Sequence, residues 1–392
     1  MPRRFVAEYV TKHLCGVRVL ESLVENNTVT GVIGTHNGSF HCDEAMACGL
    51  LRCSPNFAQS SILRSRDPSA LEQCNIVVDV GGVYDAATLR FDHHQPSFHG
   101  TMTTPKATYH TRLSSAGLVY KHFGREIIQS YVASALASPY RAKLLEATNW
   151  AADRKQLSEQ ELDTLFDVIY KNFLEHIDGI DNGIDAYGPA EVKGEEGAGA
   201  AASSSCVRRY TVSTTLSDRI GRLLPWWNEE GNGLVESERA AFLRAVELAA
   251  VEFFEAVHYH AFAWLPARRI VEEAFLAAVN VHPSGRIVVF KDRFCPWKDH
   301  LLELEAEHGK VGHILYVLFS DKKSWRVQAV PTVASGFECR KPLPWRGVRD
   351  EELSQASGID GGIFVHVSGF IGGNKTYDGA LQMAVKALTT VS

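Results

Sequence analysis

The sequence predicts an α/β protein with a parallel-sheet N-terminal domain and a smaller α/β C-terminal domain. Strand-like apolar runs at 28–35, 75–80 and 89–91 each end in polar residues, and helical apolar spacing appears at 43–52 and 114–123. Strands that alternate with helices in this way are typical of parallel sheets. Further strands are predicted beyond a long helical stretch at 236–262, over 286–290, 313–319, 325–330 and 362–366.

Composition and charge narrow the class of protein. Of the 392 residues, 45% are hydrophobic and 22% are charged, as in ordinary globular domains. The net charge of −6 argues against a protein that coats nucleic acid through bulk electrostatics, so any nucleic-acid binding must be local. The eight cysteines form no C-x-x-C pair, which favours reduced thiols in an intracellular protein. No apolar stretch approaches the roughly 18 residues that span a bilayer, so no membrane association is expected.

Acids and histidines follow the predicted strands and a helical stretch at 130–177. They form four clusters, which are His36 with His41 and Asp43; Asp79; Asp92 with His93 and His94; and Asp178 with Asp181. Functional loops of parallel sheets lie at the carboxyl ends of the strands, so we expect these side chains to converge. A mixed imidazole and carboxylate shell suits cations such as Mn²⁺, whereas a structural zinc would call for thiolates. The sequence therefore predicts a divalent-metal site.

Each cluster also has a structural alternative. Asp79 precedes a double glycine and is typical of a turn, and Asp178 is placed where a residue caps a helix end. A His-His pair such as His93-His94 is common on surfaces and in cores. The conjunction of four such clusters, each after a buried strand or helix, favours the metal site.

The order of these motifs resembles the DHH phosphoesterase superfamily, and the flanking residues resemble one family within it. The motifs are GTHNGSFHCDEA at 34–45, RFDHHQ at 90–95, LSSAGLVY at 113–120, HIDGIDNG at 176–183, CPWKDH at 295–300 and HVSGFIGGNKT at 366–376. They are similar to those of the melanocyte-proliferating-gene family, and the similarity runs from about residue 31 to the end. The N-terminal domain is therefore expected to be DHH-phosphoesterase-like.

The resemblance implies a metal-dependent 3′–5′ exonuclease of RNA that works in mitochondria and the nucleus, with the cytoplasm as an alternative. It implies two divalent ions, Mn²⁺ or Mg²⁺, which activate water. The implied metal ligands are His36, His41, Asp43, Asp79, His93 and one of Asp178 and Asp181, between which the sequence does not choose. His94 is the implied phosphate-facing catalytic residue, oriented by Asp92. His41 departs from the superfamily, which commonly has aspartate there, and the lost charge weakens attraction for a second ion.

Two C-terminal segments are predicted to contact substrate. Residues 369–376 resemble the glycine-rich substrate loop of DHH enzymes, in which Gly372, Gly373 and Asn374 permit close approach to phosphate and Lys375 adds charge. Arg346 lies in a basic-aromatic segment suited to single-stranded RNA. The alternative for that segment is structural, with Trp345 in the core and the arginines paired to acids at 350–352.

These inferences divide the chain. We predict an N-terminal extension at 1–30 with weak presequence features, a metal-binding catalytic domain at 31–235 with a flexible Gly/Ala/Ser-rich insertion at 188–205, a connecting helix at 236–265 and a substrate-binding domain at 266–392. The expected partner is single-stranded RNA, and the sequence leaves the oligomeric state open. Two alternative functions are a hydrolase of short oligonucleotides, nucleotides or pyrophosphate, and a non-catalytic RNA-binding or scaffold protein.

Overall fold

The structure is a computed structural model that describes residues 2–23, 31–186, 212–228 and 234–390. The chain divides into two units, residues 1–261 and 262–392. The insertion predicted at 188–205 lies outside the described residues. Among the helices that are described, none has both the length and the apolar character needed to cross a membrane.

The first unit is built on a mostly parallel sheet, as predicted. Its strands are β1 (Val19–Leu20), β2 (Val32–Thr35), β3 (Ser61–Arg64), β4 (Ile76–Val78), β5 (Tyr84–Asp85) and β6 (Arg90–Phe91). In the described residues their order is β1-β3-β2-β4-β6-β5, and only the β5–β6 pair is antiparallel. Every residue of β2, β3 and β4 is buried, which is why β2 and β4 appear in the sequence as continuous apolar runs. A separate antiparallel pair is formed by β7 (Thr101–Thr103) and β8 (Thr108–Arg112).

Helices follow and flank these strands. They are α1 (Pro2–Leu14), α2 (Cys42–Arg52), α3 (Pro68–Glu72), α4 (Ser115–Leu136), α5 (Arg141–Thr148), α6 (Glu159–Ile169), α7 (Glu175–Asp181), α8 (Leu216–Gly221) and α9 (Leu234–Tyr259). The Ser114 side chain caps α4 by accepting a hydrogen bond from the Gly117 backbone. The stretch predicted as helical at 130–177 is interrupted between α4, α5 and α6. A π-helical segment at Tyr170–Leu174 joins α6 to α7.

The ends of the first unit meet in an aromatic core. Tyr9 of α1 contacts Tyr131 of α4 and Phe254 of α9, with ring centroids 4.9 and 5.0 Å apart. Part of the predicted N-terminal extension is thus a packed helix of this unit. Helix α9, which overlaps the predicted connecting helix at 236–265, packs against α1 and α2.

The second unit has a mixed sheet. Its strands are β9 (Ile287–Phe290), β10 (Tyr316–Ser320), β11 (Trp325–Ala329), β12 (Gly362–Val365) and β13 (Ile371–Asn374). Their order in the described residues is β12-β13-β11-β10-β9, with β9 and β10 parallel and the other pairs antiparallel. The helices are α10 (Leu265–Leu276), α11 (Ala278–Val281), α12 (Lys298–Glu307), α13 (Asp350–Ser357) and α14 (Tyr377–Thr389), and a second π-helical segment, His260–Trp264, precedes α10.

The prediction of a glycine-rich loop around Gly372, Gly373 and Asn374 is wrong. These residues are buried in β13, between β11 and β12. A Cβ atom at Gly373 would overlap the end of the Arg326 side chain of β11, so a larger residue here would require that flexible guanidinium to move. Asn374 is fully buried and donates to the Asp360 carbonyl while it accepts from the Thr376 backbone.

We expect His258 of α9 to destabilise the protein at low pH. Its side chain is buried, accepts a hydrogen bond from the Tyr131 hydroxyl at 2.8 Å, and burial lowers its pKa to about 4. An unfolded histidine has a pKa of about 6.5, so between these values the unfolded state binds the proton more readily. Stability should therefore fall as pH drops from about 6.5 towards 4, by up to ~1.4 kcal/mol per pH unit from this group.

Urea unfolding at pH 7.5, 5.5 and 4.5 measures this effect. His258→Gln keeps an acceptor for Tyr131 and should lose less stability than the wild type across this range. Parallel losses in the two proteins would contradict the assignment.

Candidate metal centre

The predicted acids and histidines meet at the carboxyl edge of the first sheet. His36 follows β2, Asp79 follows β4, and His93 lies two residues beyond β6. The first turn of α2 adds Asp43, and α7 ends at Asp181. In parallel strands these ends lie side by side, which is why residues distant in sequence become neighbours.

The first group consists of His36, His41, Glu44 and Asp79, whose ligand atoms all lie within 4.8 Å of one another. His36 Nε2 is 3.4 Å from Asp79 Oδ2 and 3.0 Å from Glu44 Oε1. His41 Nδ1 is 4.0 Å from Asp79 Oδ2. Three of these side chains are buried, whereas that of His41 is 56% exposed, so this group opens to solvent at His41.

The second group consists of Asp43, His93 and Asp181, beside the other oxygen of Asp79. His93 Nε2 is 3.0 Å from Asp181 Oδ2, 3.6 Å from Asp79 Oδ1 and 3.8 Å from Asp43 Oδ2. Asp43, His93 and Asp181 present ligand atoms within 4.8 Å of one another. The Asn182 side-chain oxygen lies 3.3 Å from His93 Nδ1, so the other ring nitrogen is held.

Asp79 joins the two groups. Its Oδ2 faces His36 and His41, and its Oδ1 faces His93 and His94. The backbone of Asp79 has φ 57°, in the left-handed region that aspartate tolerates better than most residues. A carboxylate with one oxygen directed to each group has the arrangement of a bridging ligand.

The donor atoms fit divalent cations. His36 Nε2, His93 Nε2 and Asp79 Oδ1 are buried and have no hydrogen-bond partner among the described residues. Buried polar atoms are rarely left unpaired, so three that converge on one place indicate a bound ligand. Ligands at 2.0–2.2 Å from one ion lie about 3.0–3.5 Å apart, and most of the separations above fall close to that range.

Asp178 and Asp181 are distinguished by the residues that they contact. Asp178 is fully buried, accepts hydrogen bonds from the Ser114 backbone at 2.9 Å and the Tyr170 hydroxyl at 2.8 Å, and lies 2.8 Å from the Ser114 hydroxyl oxygen. It belongs to neither group, whereas Asp181 faces His93 directly. The structure therefore brings Asp181 to the centre and places Asp178 behind it.

Asp92 and His94 form a pair at the rim. Asp92 Oδ1 accepts from the His94 backbone at 3.1 Å and lies 2.7 Å from His94 Nδ1. Asp92 Oδ2 accepts from the Gly82 backbone, so the carboxylate is fixed on both sides. The His94 side chain is 62% exposed, which leaves its other nitrogen accessible from solvent.

The comparisons with known proteins assign a family. A profile described as "Uncharacterised protein family (UPF0160)", MYG1_exonuc, matches residues 32–388. The chain belongs to the MYG1 family. A protein of Bos taurus named MYG1 exonuclease is 44% identical over 357 residues, which cover 90% of this chain and 83% of that one. A MYG1 protein of Caenorhabditis elegans is 43% identical over 92% of this chain and 96% of its own.

The MYG1 family is therefore one in which mammalian members are named exonucleases. Among solved structures, RecJ of Thermus thermophilus in complex with Mn²⁺ is 14% identical, and the alignment covers 100% of this chain and 56% of that chain. Its TM-score of 0.20 is too low to relate the two architectures. The family assignment rests on sequence, and the centre rests on its own geometry.

Charge in this MYG1-family centre is balanced between imidazoles and carboxylates. Burial lowers the pKa of His36, but the neighbouring Asp79 and Glu44 outweigh burial and raise that pKa to about 10. Burial is likewise outweighed at His93, where Asp181 and Asp79 raise the pKa to about 10. Burial, then Asp79 and Asp181, raise the pKa of Asp43 well above its usual value. Without cations the centre holds protons, so metal binding must displace them.

The first turn of α4 holds Asp43 in place. Its Oδ1 accepts from the Ser114 hydroxyl at 2.5 Å and the Ala116 backbone at 2.6 Å, and its Oδ2 accepts from the Ser115 backbone at 2.9 Å. A carboxylate at a helix N-terminus is stabilised by these unpaired amides and by the helix dipole. Ser114 links this carboxylate to Asp178.

Two functional positions were missed by sequence reasoning, Glu44 and Ser114. Glu44 is three residues after His41, which is the spacing of a capping box, and its backbone contacts have that form. Ser114 caps α4 and also contacts Asp43 through its hydroxyl. Both residues occupy positions that are typical of the beginning of a helix, and such positions do not by themselves indicate a metal site.

The predicted substrate residues lie in the second unit and do not share one environment. Lys375 and Arg346 are exposed. Near Arg346, Arg340 pairs with buried Glu305 at 2.7 Å, and Lys341 donates to the Leu388 carbonyl at 2.7 Å. Arg340 is thus paired with an acid, as in the structural alternative, but the acid is Glu305 and not one of the residues at 350–352. Trp345 is partly buried against the core of this unit.

We expect Asp181→Asn to weaken Mn²⁺ binding by roughly tenfold to a hundredfold. The substitution removes a negative charge that faces His93 at 3.0 Å, and it leaves the shape of the side chain. Isothermal titration with Mn²⁺ measures the change. Asp185→Asn, an exposed neighbour with the same change of charge, serves as the control and should bind like the wild type. Unchanged binding by Asp181→Asn, with loss in Asp178→Asn, would reverse the assignment.

We expect Gly117→Ala to disturb the centre without removing a ligand. A Cβ atom at Gly117 would overlap both carboxylate oxygens of Asp178, which Ser114 and Tyr170 hold in place. The cost should be about 1–3 kcal/mol of stability, with weaker Mn²⁺ binding as Ser114 shifts Asp43. Gly179→Ala is the matched control, because a Cβ atom there would lie 3.8 Å from its nearest neighbour, the Thr111 methyl group. Thermal unfolding and Mn²⁺ titration of both variants test this prediction. Equal stability and equal Mn²⁺ affinity of Gly117→Ala and Gly179→Ala would contradict the packing argument.

Proposed function

We propose that this chain is a metal-dependent 3′–5′ exonuclease of single-stranded RNA. The observation that carries the proposal is Asp79, whose two oxygens face separate groups of imidazoles and carboxylates. Membership of a family with members named exonucleases supports phosphodiester hydrolysis. RNA as the substrate and the 3′–5′ polarity are supported by the resemblance of the motifs to the melanocyte-proliferating-gene family.

The residues of the centre have different roles in the proposed hydrolysis. His36, His41 and Asp79 would hold one divalent ion, and Asp43, His93, Asp181 and Asp79 the other. When bound, such a pair supplies a water of lowered pKa and stabilises charge on the attacking and leaving oxygens. The Ser114–Ala116 amides and hydroxyl keep Asp43 in a fixed orientation, which limits how far the centre must rearrange during reaction.

His94 is the residue that we assign to the leaving group. Asp92 holds its Nδ1 and its backbone amide, so the exposed Nε2 is free to approach a phosphodiester. A protonated imidazole in this orientation donates a hydrogen bond to a phosphate oxygen or a proton to the departing oxygen. In the second unit, Lys375 and Arg346 are the predicted contacts for RNA phosphates, as point charge and planar fork respectively.

A nuclease assay with metal titration tests the proposal. RNA labelled at the 3′ end or the 5′ end is incubated with increasing Mn²⁺ or Mg²⁺. Early release of labelled mononucleotide from the 3′-labelled RNA, and none without metal, is the expected result. Asp79→Asn and His93→Ala should lower the rate at least roughly a hundredfold while each still unfolds cooperatively on heating in EDTA, and Asp185→Asn should retain the rate.

Other outcomes select the alternatives. Turnover of pyrophosphate or dinucleotides without turnover of longer RNA would replace the RNA substrate by a small one. Release from the 5′ end would overturn the polarity. Binding of RNA without turnover at any metal concentration would favour the non-catalytic alternative.

A further inference from the structure

Glu44 is a buried carboxylate that the proposed ligand set leaves out. Its side chain is fully buried, although it lies in the first turn of α2, where acidic residues usually face solvent. Both of its oxygens accept hydrogen bonds from the His41 backbone, at 3.0 and 2.9 Å. Its Oε1 is also 3.0 Å from His36 Nε2, and its Oε2 is 3.3 Å from His41 Nδ1.

A capping role alone does not account for these contacts. The chain has a second capping box of the same form, in which Ser158 precedes α6 and Glu161 accepts from the Ser158 backbone at 2.8 Å. The Glu161 side chain is 24% exposed and pairs with Arg154. Glu44 instead faces two imidazoles inside the metal centre. Its environment is therefore that of a ligand group, in addition to that of a cap.

The contact between Glu44 and His36 has the distance of a hydrogen bond without its direction. His36 Nε2 is 3.0 Å from Oε1, yet this buried nitrogen has no hydrogen-bond partner among the described residues. The ligand atoms of His36, His41, Glu44 and Asp79 lie within 4.8 Å of one another. Atoms that approach closely without pointing at each other are satisfied together by a cation placed among them.

The negative charge available to each group also indicates that Glu44 is a ligand. The second group has the carboxylates of Asp43 and Asp181 in addition to one oxygen of Asp79. Without Glu44, the first group has two neutral imidazoles and only the shared Asp79. A hard divalent cation is held mainly by anionic oxygen, so the first group would be much the weaker of the two.

We infer that Glu44 is an anionic ligand of the ion held by His36, His41 and Asp79. It supplies the negative charge that the histidine at position 41 does not provide. This inference rests on the metal-dependent function proposed above, but it concerns which residues bind the ion and is tested without any substrate.

The test is Mn²⁺ binding by the full chain, measured by isothermal titration and by the free Mn²⁺ signal in electron paramagnetic resonance. The wild type is expected to bind two ions. Glu44→Gln retains an oxygen for the His41 amide but loses the charge, and it should lose one ion or bind it more than tenfold more weakly. Glu161→Gln makes the same change in the capping box of α6 and should bind two ions as the wild type does.

A second substitution separates a ligand from a structural residue. If charge is what Glu44 supplies, His41→Asp in the Glu44→Gln background should restore the second ion, which repair of a helix cap would not do. Thermal unfolding in EDTA shows whether each variant is folded. If Glu44→Gln does not fold, Glu44→Asp replaces it; that carboxylate is one methylene shorter, and the expected result is weaker binding of one ion only.

The outcomes are distinct. Two ions bound by Glu44→Gln with wild-type affinity would overturn the role of Glu44 and leave the proposed nuclease function standing. One ion in the wild type and one in Glu44→Gln would also overturn it. No ion bound by the wild type would remove both this inference and the metal-dependent function.

Discussion

The centre depends on one electrostatic constraint, which is that several buried carboxylates lie within reach of one another. Asp43 and Asp79 are buried, and Asp181 approaches both through His93. Like charges in a low-dielectric interior repel strongly, so such a cluster persists only with cations or protons among its members. The raised pKa values of His36 and His93 express this demand. Divalent ions relieve the repulsion between the carboxylates better than protons do, because each ion carries two positive charges at one point.

The backbone brings these groups together by two means. Parallel strands place His36, Asp79 and His93 at one edge, and the first turns of α2 and α4 bring amides and further acids to the same edge. Buried Arg64, at the end of β3, supports the loop between β2 and α2: it donates to the Gly38 carbonyl, pairs with Glu238 at 2.8 Å and lies over the Phe242 ring. The loop that contains His36 and His41 is therefore fixed from its outer side as well.

Much of the first sheet and of the centre could be predicted, because a buried parallel strand is a continuous apolar run and its polar successor marks the site. What could not be predicted depends on partners distant in sequence. Asp178 and Asp181 are three residues apart on one helix, and only their partners tell them apart: Ser114 and Tyr170 contact Asp178, whereas His93 faces Asp181. Gly373 has the sequence of a phosphate loop, but it lies in β13 opposite Arg326 of β11, a pairing that the local sequence does not indicate. Strand β3 went unrecognised because it begins with serine and ends with a buried arginine.

The π-helical segment at 170–174 has a consequence for how the chain tolerates changes in length. Tyr170 and Asp178 are eight residues apart, which in a regular α-helix leaves them about 80° apart around the axis. One residue accommodated in a wider turn reduces that angle to about 20°, and the Tyr170 hydroxyl reaches Asp178 at 2.8 Å. Deleting a single residue between Tyr170 and Asp178 would restore a regular helix with the pair seven residues apart, which leaves them again about 20° apart around the axis. The segment therefore tolerates the loss of one residue, whereas a regular helix of the present length would turn Tyr170 about 80° from Asp178 and disturb Asp43 through Ser114.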